Sequence, residues 1–228
     1  MNKPLNKYID HTMLKPDAGE KAIINLCREA LEYDFYSVCV NSCYVSLART
    51  HLRGSDIKVS AVAGFPLGAM SSAAKLAETR DSLDNGASEI DVVINIGALK
   101  DQHYDYILSE LSALAELCHS RNALLKVITE TCLLTENEIT EACRLVMKSG
   151  ADFIKTSTGF SSGGAEVRDV RLMKKIIGNK IMIKASGGIR TLETAEAMIE
   201  AGADRLGCSA SVEIMDKYIE NKIRTECR

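Results

Sequence analysis

The stretch Ser149-Gly150-Ala151-Asp152-Phe153-Ile154-Lys155-Thr156 reads as a helix end, a turn and the start of a buried strand. Its glycine is the expected left-handed helix terminator. The same junction recurs at Asn85-Gly86-Ala87-Ser88 and at Ala201-Gly202-Ala203-Asp204. Working outward from these three, short apolar or β-branched runs begin near Tyr8, Ser37, Ile57, Glu89, Leu124, Asp152, Lys180 and Asp204, with segments of helical period between them. Leu192, Ala195, Met198 and Ile199, for example, form one apolar stripe ending at Gly202. Eight such units predict a closed (β/α)8 TIM barrel of the α/β class. The competing doubly wound open sheet expects a glycine-rich turn after the first strand, and none follows Tyr8-Ile9-Asp10-His11.

Composition bounds what such a barrel can do. With 228 residues, 46% of them hydrophobic, the chain fills one substantial core, and no linker or low-complexity stretch offers a boundary, so residues 1–228 are expected to form a single domain. A formal charge of -3 supplies no basic field for nucleic acid or an anionic membrane. No run is long and apolar enough for a membrane span, and Met1-Asn2-Lys3-Pro4-Leu5-Asn6 lacks a signal-peptide core, so a cytoplasmic location is expected. The eight cysteines are scattered without a Cys-x-x-Cys and read as reduced thiols. His11, His51, His103 and His119 stand isolated, without zinc-ligand spacing, so no metal is expected.

Charges interrupt the strands that should be most apolar. Ile90-Asp91-Val92-Val93-Ile94, Phe153-Ile154-Lys155-Thr156 and Ile181-Met182-Ile183-Lys184-Ala185 each carry one, and Lys126 adds a fourth in Leu124-Leu125-Lys126-Val127-Ile128. Counting five residues on from the three repeat glycines lands on Asp91, Lys155 and Gly207, all on even-numbered strands, which share an interior layer in this kind of barrel. A structural ion-pair network is one reading. An active site is the sharper one. Adjacent strands lie about 4.8 Å apart, so Lys184 is expected to reach Lys155, where repulsion and desolvation both favour a neutral amine able to attack a carbonyl carbon. Asp91 would then hold one lysine charged and pass protons through a water.

The seventh strand runs into Ser186-Gly187-Gly188-Ile189-Arg190-Thr191 and the eighth into Gly207-Cys208-Ser209-Ala210-Ser211, each opening a helix, while strand six adds Thr158-Gly159. Loops at these places commonly cradle phosphate with free backbone N–H groups. Two ordinary βα turns are the alternative, but two inward lysines beside them favour the phosphate reading.

These stretches together resemble the deoxyribose-phosphate aldolase family over nearly the whole chain. Tyr8-Ile9-Asp10-His11-Thr12-Met13-Leu14-Lys15-Pro16, Gly64-Phe65-Pro66-Leu67-Gly68, Leu76-Ala77-Glu78-Thr79, Glu89-Ile90-Asp91-Val92-Val93-Ile94-Asn95 and Leu125-Lys126-Val127-Ile128-Thr129-Glu130 carry the match. Asp152 through Phe160 and Lys184 through Arg190 are its most specific parts. The resemblance implies reversible cleavage of 2-deoxyribose 5-phosphate to acetaldehyde and glyceraldehyde 3-phosphate without metal or organic cofactor. It implies Lys155 as the Schiff-base lysine, Lys184 as the lysine that tunes it, and Asp91 as the carboxylate of a proton relay. It places Asp10, Thr12 and Thr158 near the substrate hydroxyls, Lys126 at a supporting polar position, and Gly159, Gly187, Gly188, Arg190, Gly207 and Ser209 at the phosphate end. A small phosphorylated aldehyde is the expected partner, and a homodimer the expected assembly.

The chain departs from the family pattern in places. Some members carry a basic residue where this chain has Phe160, and a serine where it has Ala210; some end in a tail with a terminal tyrosine, where this sequence reads Ile223-Arg224-Thr225-Glu226-Cys227-Arg228. Cys39, at the end of the second strand, is expected near the barrel mouth, as packing or as a reactive thiol. Three rivals remain at this stage: a Schiff-base barrel aldolase for another phosphorylated sugar, a non-catalytic sugar-phosphate-binding barrel, and a metal-dependent aldolase, which the isolated histidines disfavour.

Overall fold

Each apolar run becomes a strand that starts within two residues of its expected place. The computed structural model describes residues 3–226, so the last two residues of the tail, including Cys227, lie outside the described residues. The strands are β1 (Ile9–Met13), β2 (Ser37–Val40), β3 (Lys58–Ala63), β4 (Glu89–Val93), β5 (Leu124–Ile128), β6 (Phe153–Lys155), β7 (Met182–Ser186) and β8 (Arg205–Cys208). They pair in parallel and in chain order, and β8 returns to β1 to close the barrel. Around them run α1 (Glu20–Glu32), α2 (Val45–His51), α3 (Ser72–Asp84), the short α4 (Ile96–Lys100), α5 (Tyr104–His119), α6 (Glu136–Ser149), α7 (Val167–Ile177), α8 (Leu192–Glu200) and α9 (Ser211–Glu226).

The repeated junction works as its sequence requires. Gly86, Gly150 and Gly202 have φ of 102°, 84° and 116°, a region that a side chain would strain. At its other end α6 opens on a capping box, Thr135 accepting from the Glu138 N–H while the Glu138 carboxylate accepts from the Thr135 N–H.

Strand alternation divides the molecule into two environments. The outward positions, such as Ile9, Val38, Ala61, Ile90, Val92, Leu125, Val127, Ile154, Ile183 and Leu206, are buried against the helices in one continuous apolar annulus. Inside the barrel Leu14, Cys39 and Val62 form a small apolar cluster with Phe65 against them, Val93, Ile128 and Phe153 are buried at other inward positions, and charged side chains hold much of the remaining volume. Cys39 is wholly buried in that small cluster, and burial pushes its thiol above the ordinary value. Among the described residues no helix is long and apolar enough to cross a membrane.

Among the described residues, one ion pair with both side chains fully buried lies outside the barrel. Lys75 on α3 and Glu110 on α5 meet at 2.6 Å with both side chains fully buried, and Ser72 also donates to Glu110 at 2.8 Å. The Lys75 stem fills the space beside Gly64, whose N–H donates to Glu78 at 2.8 Å, so the pair supports the turn after β3 from below. Breaking a buried pair strands a charge, whereas replacing both members need not. Lys75→Met is therefore expected to cost about 3–5 kcal/mol in urea unfolding, and the double variant Lys75→Met/Glu110→Leu to recover most of it; equal losses in the two would contradict the pairing argument.

Candidate active site

Strand register brings the interior charges into one connected ladder. Lys155 and Lys184 are direct partners across β6 and β7, and Asp91 and Lys126 across β4 and β5. One oxygen of Asp91 lies 2.8 Å from the Lys155 Nζ and 2.8 Å from the Lys184 Nζ; the other lies 2.7 Å from the Lys126 Nζ and accepts from the Ser60 hydroxyl at 3.1 Å. Asp10 binds Lys184 at 2.6 Å and Arg205 at 2.7 Å, and Glu89 binds Lys126 and Arg205, each at 2.7 Å. At the bottom, the Arg205 guanidinium stacks 3.4 Å above the Tyr36 ring.

The ladder holds four cations, Lys126, Lys155, Lys184 and Arg205, against three anions, Asp10, Glu89 and Asp91. One positive charge is in excess. Lys126, Lys184 and Arg205 each touch two carboxylates, while Lys155 touches Asp91 alone. Burial therefore decides for Lys155: desolvation and the Lys184 charge outweigh the pull of Asp91 and lower its pKa. Burial also penalises Lys184, but Asp10 and Asp91 overcome it and hold that ammonium well above the ordinary lysine value. Lys126 is likewise raised against its burial by Asp91 and Glu89. Asp91 stays well below the usual carboxylate range, because three lysines outweigh the cost of burying it. The arrangement presents one weakly held amine above two strongly held ammonium groups.

Lys155 lies on the floor of a cavity of about 450 Å³ at the C-terminal end of the strands. Thr12, Thr158, Gly159, Gly187, Gly188, Arg190, Gly207 and Ser209 line the same cavity, together with Lys15 and Phe160. Asp10, Asp91, Lys126 and Lys184 do not line it; they are fully buried beneath Lys155. The wall after β6 is built by close backbone approach. The Ala165 N–H donates to the Gly187 carbonyl at 3.0 Å, and a Cβ on Gly164 would fall 2.3 Å from that same oxygen. Phe160 is half exposed and packs edge-on against Phe65, with ring centroids 5.3 Å apart. Gly207 leaves room below: a Cβ there would lie 3.2 Å from the Lys184 Cε. Among the described residues no group of three or more His, Cys, Asp or Glu side chains is placed to hold a metal ion.

A family model described as DeoC/LacD family aldolase matches residues 5–216. The chain belongs to the DeoC/LacD aldolase family. It is 54% identical over 212 residues to the deoxyribose-phosphate aldolase of Finegoldia magna, covering 93% of this chain and 99% of that one. The corresponding figures for the deoxyribose-phosphate aldolase of Thermococcus kodakarensis are 52% over 219 residues, 95% and 98%. Among solved structures it superposes on QR15, an aldolase, with a TM-score of 0.91 at 42% identity, covering 96% of this chain and 97% of the other. It also superposes on the deoxyribose phosphate aldolase of Aeropyrum pernix, whose structure is described as tetrameric, with a TM-score of 0.88 at 32% identity and coverages of 94% and 90%.

For this DeoC/LacD family aldolase, sequence reasoning missed four groups that the site uses. Glu89 and Arg205 complete the ladder, Lys15 lines the cavity as does Arg190, and Glu130 anchors Thr158. Strand alternation carried the signal for two of them, since Glu89 stands two before Asp91 and Arg205 two before Gly207. The charge balance makes a signed prediction. Lys184→Met removes a positive charge that depresses Lys155 and leaves Asp91 freer to attract it, so the Lys155 pKa rises and the amine becomes neutral only at higher pH. The rate of acetaldehyde adduct formation, followed by borohydride trapping, should therefore develop at higher pH than in the unaltered protein; a profile that stays put or moves to lower pH would contradict the argument.

Proposed function

We propose that this aldolase cleaves 2-deoxy-D-ribose 5-phosphate reversibly to acetaldehyde and D-glyceraldehyde 3-phosphate through a Schiff base on Lys155. The observation that carries the reading is the lone surplus cation of the ladder, standing at the cavity floor with a lowered pKa. The neutral amine adds to the substrate aldehyde carbon, and loss of water from the carbinolamine gives an iminium. As the C3 hydroxyl gives up its proton to the water that Asp91 and Lys184 serve, the C2–C3 electron pair flows into the iminium, releasing the phosphorylated aldehyde and leaving an enamine. Protonation at C2 and hydrolysis then free acetaldehyde and restore Lys155. In this reading Asp91 and Lys184 move protons through a water as the carbinolamine forms and collapses.

The phosphate is placed at the other end of the cavity, on the backbone of Gly159, Gly187, Gly188 and Gly207, with Ser209 and the Arg190 guanidinium. Thr12 and Thr158 face the middle of the substrate, between the Schiff-base end and the phosphate end. Asp10 and Lys126 lie too deep to touch a ligand in this arrangement, and we assign them to fixing Lys184 and Asp91. The reading extends to a cytosolic enzyme working without metal or organic cofactor, as a homo-oligomer for which a dimer is the simplest form.

Borohydride reduction with acetaldehyde is expected to leave one ethyl group on the peptide containing Lys155, and Lys155→Leu to abolish both the adduct and turnover with the fold intact by circular dichroism. An adduct confined to other lysines, or aldol cleavage retained by Lys155→Leu, would overturn the assignment. Activity should survive exhaustive chelation, and a panel of phosphorylated aldoses and ketoses should show deoxyribose 5-phosphate as the favoured substrate.

A further inference from the structure

Glu130 follows β5 with φ 55° and ψ 64°, a left-handed conformation that is costly for a residue with a side chain. It is buried, and both of its oxygens turn to the same residue. One accepts the Thr158 N–H at 3.1 Å, and the other accepts the Thr158 hydroxyl. Among the described residues no cation pairs with its side chain; beyond Thr158 the carboxylate accepts from the Cys132 thiol at 3.9 Å. The Thr158 oxygen also accepts the Phe160 N–H at 3.1 Å.

A hydroxyl has one proton and two lone pairs, and an ionised carboxylate can only accept. With its proton committed to Glu130 and one lone pair to Phe160, Thr158 has a single lone pair left, on a side chain that lines the cavity with Lys155. We propose that Glu130 is a positioning residue that fixes the hydrogen-bond polarity of Thr158, so that Thr158 presents an acceptor, never a donor, to a substrate hydroxyl. Resting on the function proposed above, the hydroxyl concerned is one of the two that lie between the Schiff-base carbon and the phosphate. An acceptor there fixes which way that hydroxyl points; a donor would hold its oxygen in the opposite sense. The backbone strain at Glu130 is the cost of bringing a carboxylate under that one threonine.

The test uses the distinction between two aldehydes. Acetaldehyde forms the Schiff base but carries no hydroxyl, whereas deoxyribose 5-phosphate needs both. Glu130→Gln replaces an acceptor by an amide that can donate to the Thr158 oxygen, freeing the threonine proton to face the cavity. Cleavage of deoxyribose 5-phosphate should fall about tenfold or more in kcat/KM, while borohydride trapping of acetaldehyde on Lys155 and the melting temperature stay near those of the unaltered enzyme. In a double-mutant cycle, Glu130→Gln added to Thr158→Val should cost less than about twofold beyond Thr158→Val alone, because the two act as one unit. Additive losses, or an equal fall in trapping and cleavage, would overturn the proposal in favour of a purely structural acid. Should Glu130→Gln not fold, Thr158→Val must still lose cleavage while keeping trapping, with Thr158→Ser restoring cleavage, or the proposal fails. Absence of trapping in the unaltered enzyme would instead remove the Schiff-base function itself, and this inference with it.

Discussion

The carboxylate of Asp91 touches three ammonium groups with a single negative charge, and it cannot neutralise them all. One of its oxygens is shared by Lys155 and Lys184 while the other serves Lys126. Lys126 and Lys184 have second carboxylates to lean on, in Glu89 and Asp10. Lys155 has none, and it stands highest, on the floor of the cavity. The rest of the site follows from that shortage of negative charge. The amine with the weakest hold on its proton is the one a carbonyl compound meets first.

Such an interior is an expensive way to fill a barrel. Branched aliphatic side chains do it in many proteins of this architecture, and burying ions costs several kcal/mol each before their mutual attraction returns anything. Stability must come from elsewhere, and it does: the outward strand residues and the helices form a single apolar annulus that encircles the charged ladder. The closed sheet then fixes the register of every charge, so a carboxylate on β4 can be shared by lysines on β5, β6 and β7 without any loop having to hold it. Loops are left to shape the mouth, where close contacts between glycines of the segments after β6 and β7 bring their backbone together and Gly159, Gly187 and Gly188 line the cavity.

Much of this was legible in the sequence because two periodicities were strong. Eight apolar runs set the count of units, the glycine junctions at Gly86, Gly150 and Gly202 supported it, and charges at Asp91, Lys126, Lys155 and Lys184 stood out against apolar neighbours. Glu89 and Arg205 were hidden by position: each opens its strand, where a charge reads as a turn residue, although both alternate inward with Asp91 and Gly207. Glu130 was harder still. Its meaning depends on a left-handed backbone and on Thr158, which is 28 residues away, a pairing that only the β5–β6 register creates. Asp10 shows the opposite limit, since its place on the first strand was clear but its depth below the cavity depends on barrel stagger that no local pattern records.

The chemistry of the site depends on the protonation of three amines in one interior. The direct measurement is an NMR pH titration of the lysine ε-groups, with Lys126, Lys155 and Lys184 assigned by single substitution. Lys155 should titrate below the range of free lysines, while Lys126 and Lys184 remain charged to the alkaline limit of the folded protein. If Lys155 holds its proton as tightly as the other two, or if Lys184 loses its proton first, the charge-shortage explanation of the site is wrong.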